Sequence, residues 1–132
     1  MRFVDANIFI YVLTKSPKHE FQTSVNILER IKSGEDAIVT TPIVQQVADW
    51  LEYNGRRNAI PTFLASLNSY VRLRKVGCTW ADMLKALDYL KDYQVSFIDA
   101  TTLAVMERLK EKEVYSNDTD FDKVKWVKRI FA

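Results

Sequence analysis

The opening segment, MRFVDANIFIYVLT, constrains the chain more than any other stretch. A short apolar run, Phe3 and Val4, delivers a single carboxylate, Asp5. A segment follows at once whose apolar residues, Ile8, Phe9, Tyr11 and Val12, cover most of a helical circumference, as in a helix buried against a sheet. Strand-length apolar runs that flow into helical periodicity mark the handover from a parallel sheet to its covering helix. Asp5 then sits at a strand's carboxyl end, where open α/β sheets bind their ligands. The same residue also fits a plain helix N-cap. Further acidic positions tilt the reading toward a site.

The rest of the chain repeats the pattern. Phe21 to Lys32 is a helix with Val25, Leu28 and Ile31 on one face, closed by Gly34. Ala37-Ile38-Val39 is a short buried strand, and Thr40-Thr41-Pro42 is an N-cap followed by proline in the first turn. The helix from Pro42 to Asn54 carries Ile43, Val47, Trp50 and Leu51 inward, with Gln46 one turn in. Asn58 to Ser69 reads as another helix burying Phe63, Leu64 and Leu67. Tyr70 to Val76 alternates apolar and basic, the period of a half-exposed strand near a sheet edge. Thr79-Trp80-Ala81-Asp82 opens a further helix with a variant capping box, and Met83, Leu84, Leu87 and Leu90 are its expected core stripe. Val95 to Ile98 leads into Asp99, expected to begin a helix, and Val114 to Ser116 is the next strand. An acidic loop, Asn117 to Asp122, and a terminal strand, Val127 to Phe131, complete the chain. Short strands alternating with longer helices argue for a mainly parallel sheet wrapped on both sides, an α/β/α architecture formed by one domain over residues 1–132.

Composition excludes several function classes. There is no apolar run near the roughly 18 residues of a membrane span and no secretory leader, so a cytoplasmic protein without membrane contact is expected. The lone Cys78 forms no internal disulfide and reads as a small buried hydrophobe. His19, the only histidine, lies in an expected connection and is read as exposed, which removes histidine-dependent triads. A net charge of +2 is too mild to signal nucleic-acid binding. Arg56-Arg57, Arg72, Arg74, Lys75 and the tail residues Lys123, Lys125, Lys128 and Arg129 are basic, whereas the candidate site is acidic, and one reading sets them as a cationic rim around it. Such a rim would suit a phosphodiester substrate, but solvated cations are the usual account of such residues. Trp50, Tyr53, Tyr70, Trp80, Tyr89 and Tyr93 are expected in or beside the core, or on a partner surface.

In this architecture Asp5 and Asp118 leave the carboxyl ends of two strands, and Asp99 starts a helix on the same rim. Clustered carboxylates raise one another's pKa unless a cation neutralises them. Oxygen-only donors suit Mg²⁺ or Mn²⁺, and no Cys or His set supports zinc.

VDANIFIYVL, TTPIVQQVADWLE, FIDATTLAVM and SNDTDFDKVKWVKRIF, in this order, resemble the PIN domain family, and within it the small VapC-like ribonuclease toxins. The resemblance covers nearly the whole chain. It implies a five-stranded, mainly parallel sheet and a Mg²⁺-dependent endoribonuclease site of four acidic positions. It also implies an RNA substrate, a cognate antitoxin and a homodimer. Carried over by residue, the first acid falls on Asp5, the third on Asp99, and the fourth on Asp118 with Asp120 beside it. Asn7 and Asn117 fall among the residues that orient them. The second acid is the departure: Gln46 stands where the pattern has glutamate, and Asp49 is a possible substitute one turn further on. An amide oxygen can ligate a hard cation, but one charge fewer weakens the site. The expected function is therefore a Mg²⁺- or Mn²⁺-dependent ribonuclease using Asp5, Gln46, Asp99, Asp118 and Asp120. The alternative is a PIN-like RNA- or protein-binding module whose catalysis has lapsed. A small-molecule phosphatase fits less well, because position 7 is Asn and no Asp-x-Asp nucleophile pair follows the first strand.

Overall fold

The computed structural model describes residues 1–132. Five strands form one all-parallel sheet: β1 (Arg2–Val4), β2 (Ala37–Thr40), β3 (Leu73–Val76), β4 (Glu113–Tyr115) and β5 (Lys128–Ile130). Their spatial order is β3-β2-β1-β4-β5, so β1 is central and the order reverses on either side of it. Such a reversal opens a crevice at the carboxyl ends of the flanking strands. Register places Val4 beside Tyr115 and Thr40 beside Val76.

Six α-helices cover the sheet: α1 (Ala6–Thr14), α2 (Lys18–Lys32), α3 (Thr41–Tyr53), α4 (Ile60–Ser69), α5 (Trp80–Asp92) and α6 (Phe97–Leu109). Strand residues alternate between two buried layers. Val4, Val39, Leu73 and Tyr115 face a core built with Ile8, Phe9, Ile27, Ile43 and Phe63 from α1 to α4. Phe3, Ile38 and Val114 face a second core with Ala86 of α5, Leu103 and Met106 of α6, and Phe121. Burial on both sides explains why the strands read as continuous apolar runs.

The local signals hold at most element boundaries. Thr40 caps α3 by accepting from Ile43 N, and Gly55 takes the left-handed backbone (φ 71°) that ends it. Thr79 and Asp82 form the full capping box of α5. His19 is exposed, though it lies inside α2 rather than in a connection. Asn58 and Ala59 belong to a 3₁₀ turn (Arg57–Ala59), so α4 starts later, at Ile60.

Several expectations are corrected. The stripe α5 buries is Asp82, Ala86 and Tyr89, whereas Leu84, Leu87 and Leu90 are 50%, 54% and 39% exposed. Both triplets satisfy helical spacing, so periodicity does not choose between them. Two features choose: Ala86 lets α5 pack closely against α6, and the Asp82 carboxylate receives the Arg108 guanidinium of α6 in paired bonds of 2.9 Å. Leu64 of α4 is also exposed, as are Tyr53 and Trp80, at 91% and 74%. The edge strand is shorter than its alternation suggested, because Tyr70 and Val71 lie in the turn before β3. β5 likewise spans only Lys128–Ile130. Asp99 does not begin α6; Ser96 caps that helix and Asp99 occupies its third position. Cys78 is half-buried rather than buried.

Candidate metal centre

β1 ends at Asp5 because Asp5 is itself the N-cap of α1, its Oδ1 accepting from Ala6 N at 2.8 Å. This aims the other oxygen, Oδ2, across the sheet's carboxyl edge toward the end of β4. There Ser116, fully buried, donates its hydroxyl to Asp5 Oδ2 at 2.6 Å. The same hydroxyl accepts from the Asp118 amide at 2.9 Å and from Asn7 Nδ2 at 3.2 Å. Asn7 also donates to Asp5 Oδ2 at 3.1 Å, and its own oxygen accepts from Asn117 N at 3.2 Å. Asn117 Nδ2 reaches the Tyr11 hydroxyl at 3.0 Å. Asn7 thus bonds Asp5 and Ser116 directly, and Asn117 holds Asn7 in turn.

Asp118 caps the 3₁₀ turn Thr119–Lys123 by accepting from Asp120 N at 2.9 Å. That turn is braced from behind by Arg129 of β5. Its guanidinium meets both Asp122 oxygens, at 3.0 and 3.2 Å, and the Ser116 carbonyl at 3.2 Å. From the opposite side α6 brings in Asp99, its amide donating to Ser96 Oγ at 3.1 Å and its side chain meeting the other acids.

The result is convergence: one carboxylate oxygen from each of Asp5, Asp99 and Asp118 lies within 4.8 Å of the others. Asp5 and Asp99 are 4% and 6% exposed. Burial pushes the Asp5 carboxyl up, against the pull of hydrogen bonds from Ser116, Ala6 and Asn7. Asp99 is pushed up to about 8, first by burial, then by the Asp5 charge and by its contacts with Asp118. Three buried or half-buried acids facing one another are electrostatically costly. The donor set, hard oxygens braced from behind by hydrogen bonds, fits a divalent cation such as Mg²⁺ or Mn²⁺.

The remaining sequence candidates lie outside this triad. Asp120 pairs with Lys123 Nζ at 2.9 Å. Gln46 and Asp49 are exposed on α3, where they line a cleft shared with Phe97, Ile98 and Thr101 of α6. Two contributors were missed in the sequence. Ser116 read as a strand residue and Arg129 as part of a basic rim, and no spacing rule links either to Asp5 or Asp122.

The PIN domain family model matches residues 2–127. Among solved structures the chain is similar to the VapC20 sarcin-ricin loop cleaving toxin of Mycobacterium tuberculosis, with a TM-score of 0.77 and 18% identity over 96% of this chain and 97% of that one. It is also similar to a toxin-antitoxin complex from Klebsiella pneumoniae (TM-score 0.69, 15% identity, 97% and 96% covered). A third likeness is to VapBC2 of Rickettsia felis bound to a fragment of promoter DNA (TM-score 0.73, 11% identity, 98% and 96% covered). No curated protein matches the chain in sequence. At these identities the structural likeness establishes the fold, and the family match over nearly the full length establishes that the chain belongs to the PIN domain family.

Proposed function

We propose that this protein is a divalent-metal-dependent endoribonuclease of the VapC type, the toxin of a toxin-antitoxin pair. The observation that carries the reading is the convergence of Asp5, Asp99 and Asp118 on one rim of the sheet. Asp5, Asp99 and Asp118 would hold the cation, and Asp120 and Gln46 would border it. A cation bound there supplies an acidified water and offsets charge on the scissile phosphate. The chain's own residues do the positioning. Ser116 and Asn7 hold Asp5 in one rotamer, and Arg129 with Asp122 fixes the turn that presents Asp118. Holding such groups in place before substrate arrives is what makes them effective.

The partner reading rests on two features. The similar structures from Klebsiella and Rickettsia are toxin-antitoxin assemblies, which supports an antitoxin here. Trp80, Leu84, Leu87 and Leu90 form an exposed apolar face on α5, which supports a homodimer that covers it. The second functional reading, a lapsed binding module, is favoured by Gln46, a neutral amide where the family has its second acid.

Calorimetric titration with Mg²⁺ or Mn²⁺, alongside cleavage of a panel of structured RNAs with and without metal, separates the two readings. The nuclease reading expects saturable binding at the acid cluster and metal-dependent cleavage, both lost in Asp5→Asn. Metal-independent RNA binding with no cleavage under any divalent cation establishes the module instead.

A further inference from the structure

Beside the acid cluster, between the amino-terminal halves of α3 and α6, lies a cleft of about 410 Å³. One wall carries Gln45, Gln46 and Asp49 of α3, and the other Phe97, Ile98 and Thr101 of α6. Phe97, Ile98 and Thr101 share α6 with Asp99, and Gln46 is the position proposed to border the cation, so the cleft shares an element and a border residue with the proposed scissile-phosphate site. Its chemistry differs sharply from that site. No lysine or arginine lines it, and its only charged group is the Asp49 carboxylate. A phosphate would meet repulsion here, and a small cation would meet just one carboxylate. Cys78 and Met83 add to the lining, which suits a neutral ring: an aromatic side chain for stacking, with two amides and a carboxylate able to hydrogen-bond its edge. Phe97 is 44% exposed although it opens a helix whose next turn is buried, which leaves its ring available to a ligand.

We infer that this cleft is a nucleobase subsite, which takes one unpaired base of the RNA strand next to the cleaved bond, stacked on Phe97 with its edge toward Gln45, Gln46 and Asp49. The inference rests on the nuclease reading and deepens it: the substrate is RNA in which a base is splayed out of a loop or bulge, not a continuous duplex. Sequence-specific RNA recognition commonly works in this way, because an unstacked base offers both its face and its edge. Stacking on an aromatic side chain tolerates any base, so selectivity falls to the amide and carboxylate wall. Gln46 acquires a role in this arrangement that a glutamate would perform differently, since an amide both donates and accepts at a base edge.

The test uses the full chain and a fluorescein-labelled single-stranded octaribonucleotide, with Ca²⁺ replacing Mg²⁺ because it takes the same oxygen ligands in a looser geometry. 2-Aminopurine, and separately an abasic residue, is walked through the strand. One position is expected to show quenched 2-aminopurine fluorescence on binding. Phe97→Ala relieves that quenching and weakens binding about 10-fold, while Phe97→Tyr retains both. An abasic residue at the same position weakens the unmodified protein by a similar factor and weakens Phe97→Ala no further. If the two losses multiply instead, or if no position is quenched while the RNA is bound and cleaved, the base subsite is overturned and the nuclease stands. A changed sedimentation coefficient for Phe97→Ala also overturns it, because Phe97 would then serve self-association. If the octamer does not bind and no RNA is cleaved, both the nuclease reading and the subsite fall.

Discussion

The Ser116 hydroxyl donates to Asp5 Oδ2 at 2.6 Å, tying the end of β4 to the end of β1 across a sequence separation of 111 residues. Because it also accepts the Asp118 amide, this one oxygen orients two of the three converging acids. Ser116→Ala should cost about 1–3 kcal/mol of stability by leaving buried partners unmatched. It should also weaken Mg²⁺ binding on the order of 10-fold, the scale of groups that orient metal ligands. Chemical denaturation and calorimetry on the same preparation check both; unchanged cation affinity would reduce Ser116 to a packing residue.

Asp99 provides a signed pH dependence in metal-free protein. Its folded-state pKa, pushed from 3.8 up to about 8, is above that of the unfolded chain, so the unfolded state loses the proton first. Stability therefore falls as pH rises from about 4 toward about 8 and levels off beyond. Asp99→Asn does not titrate, so in EDTA its melting temperature should overtake that of the parent progressively across this window. In excess Mg²⁺ the order should reverse, since only the parent retains three ligands. A constant difference between the two proteins at every pH would count against the cluster's strain.

Gln46→Glu separates an active site from a lapsed one. With Gln46 bordering the cation as proposed, the added carboxylate should raise Mg²⁺ or Mn²⁺ affinity on the order of 10-fold, with cleavage rising in parallel, and Asp5→Asn should cancel both. Should Gln46→Glu change nothing while Asp49→Asn abolishes binding, the second acid has moved one turn along α3.

Arg108 and Asp82 give the opposite sign. Burial pushes the Asp82 carboxyl up, but hydrogen bonds from Arg108 and Thr79, and the Arg108 charge, outweigh this and hold it below its ordinary value. The pair's stabilisation is therefore present above about pH 4 and lost as pH falls through the depressed value. Arg108→Ala leaves Asp82, 3% exposed, without its partner at neutral pH. The expected loss is roughly 2 kcal/mol, below the range for fully buried pairs because the arginine is itself partly solvated. The gap to the parent should shrink below pH 4, as urea titrations at two pH values would reveal.

Leu84→Lys and Leu87→Lys test the outward face of α5. As surface positions they should alter monomer stability by no more than about 0.5 kcal/mol, whereas a core leucine replaced by a smaller residue costs about 2–5 kcal/mol. If α5 holds a homodimer together, sedimentation velocity should show the double variant as a monomer.

The order of strands and helices was legible because handover points carry strong local marks: Thr79 with Asp82, Thr40 before Pro42, and Asp5 before a continuous apolar helix. Asp5 and Asp118 were legible for the related reason that each follows a strand on one rim; Asp99 was legible only as an acid in a helix's first turn, since Ser96 and not Asp99 caps α6. The inward face of α5 was not, because two triplets share its period and only the Ala86 contact and the Arg108 partner, remote in sequence, choose between them. Ser116 and Arg129 were hidden for a similar reason. Their partners are set by sheet order, with β4 beside β1 and β5 beside β4, which local pattern does not encode.

The position of β1 between β2 and β4 has a consequence for the timing of biosynthesis. Asp5 emerges from the ribosome early, yet Ser116 and Asp118, which complete its surroundings, are translated more than a hundred positions later. Contacts of such separation form late in folding. A nascent chain therefore carries the first acid of the site without its companions for most of its synthesis. For the nuclease proposed above, this delay would keep the growing chain unable to cut RNA until β4 has docked.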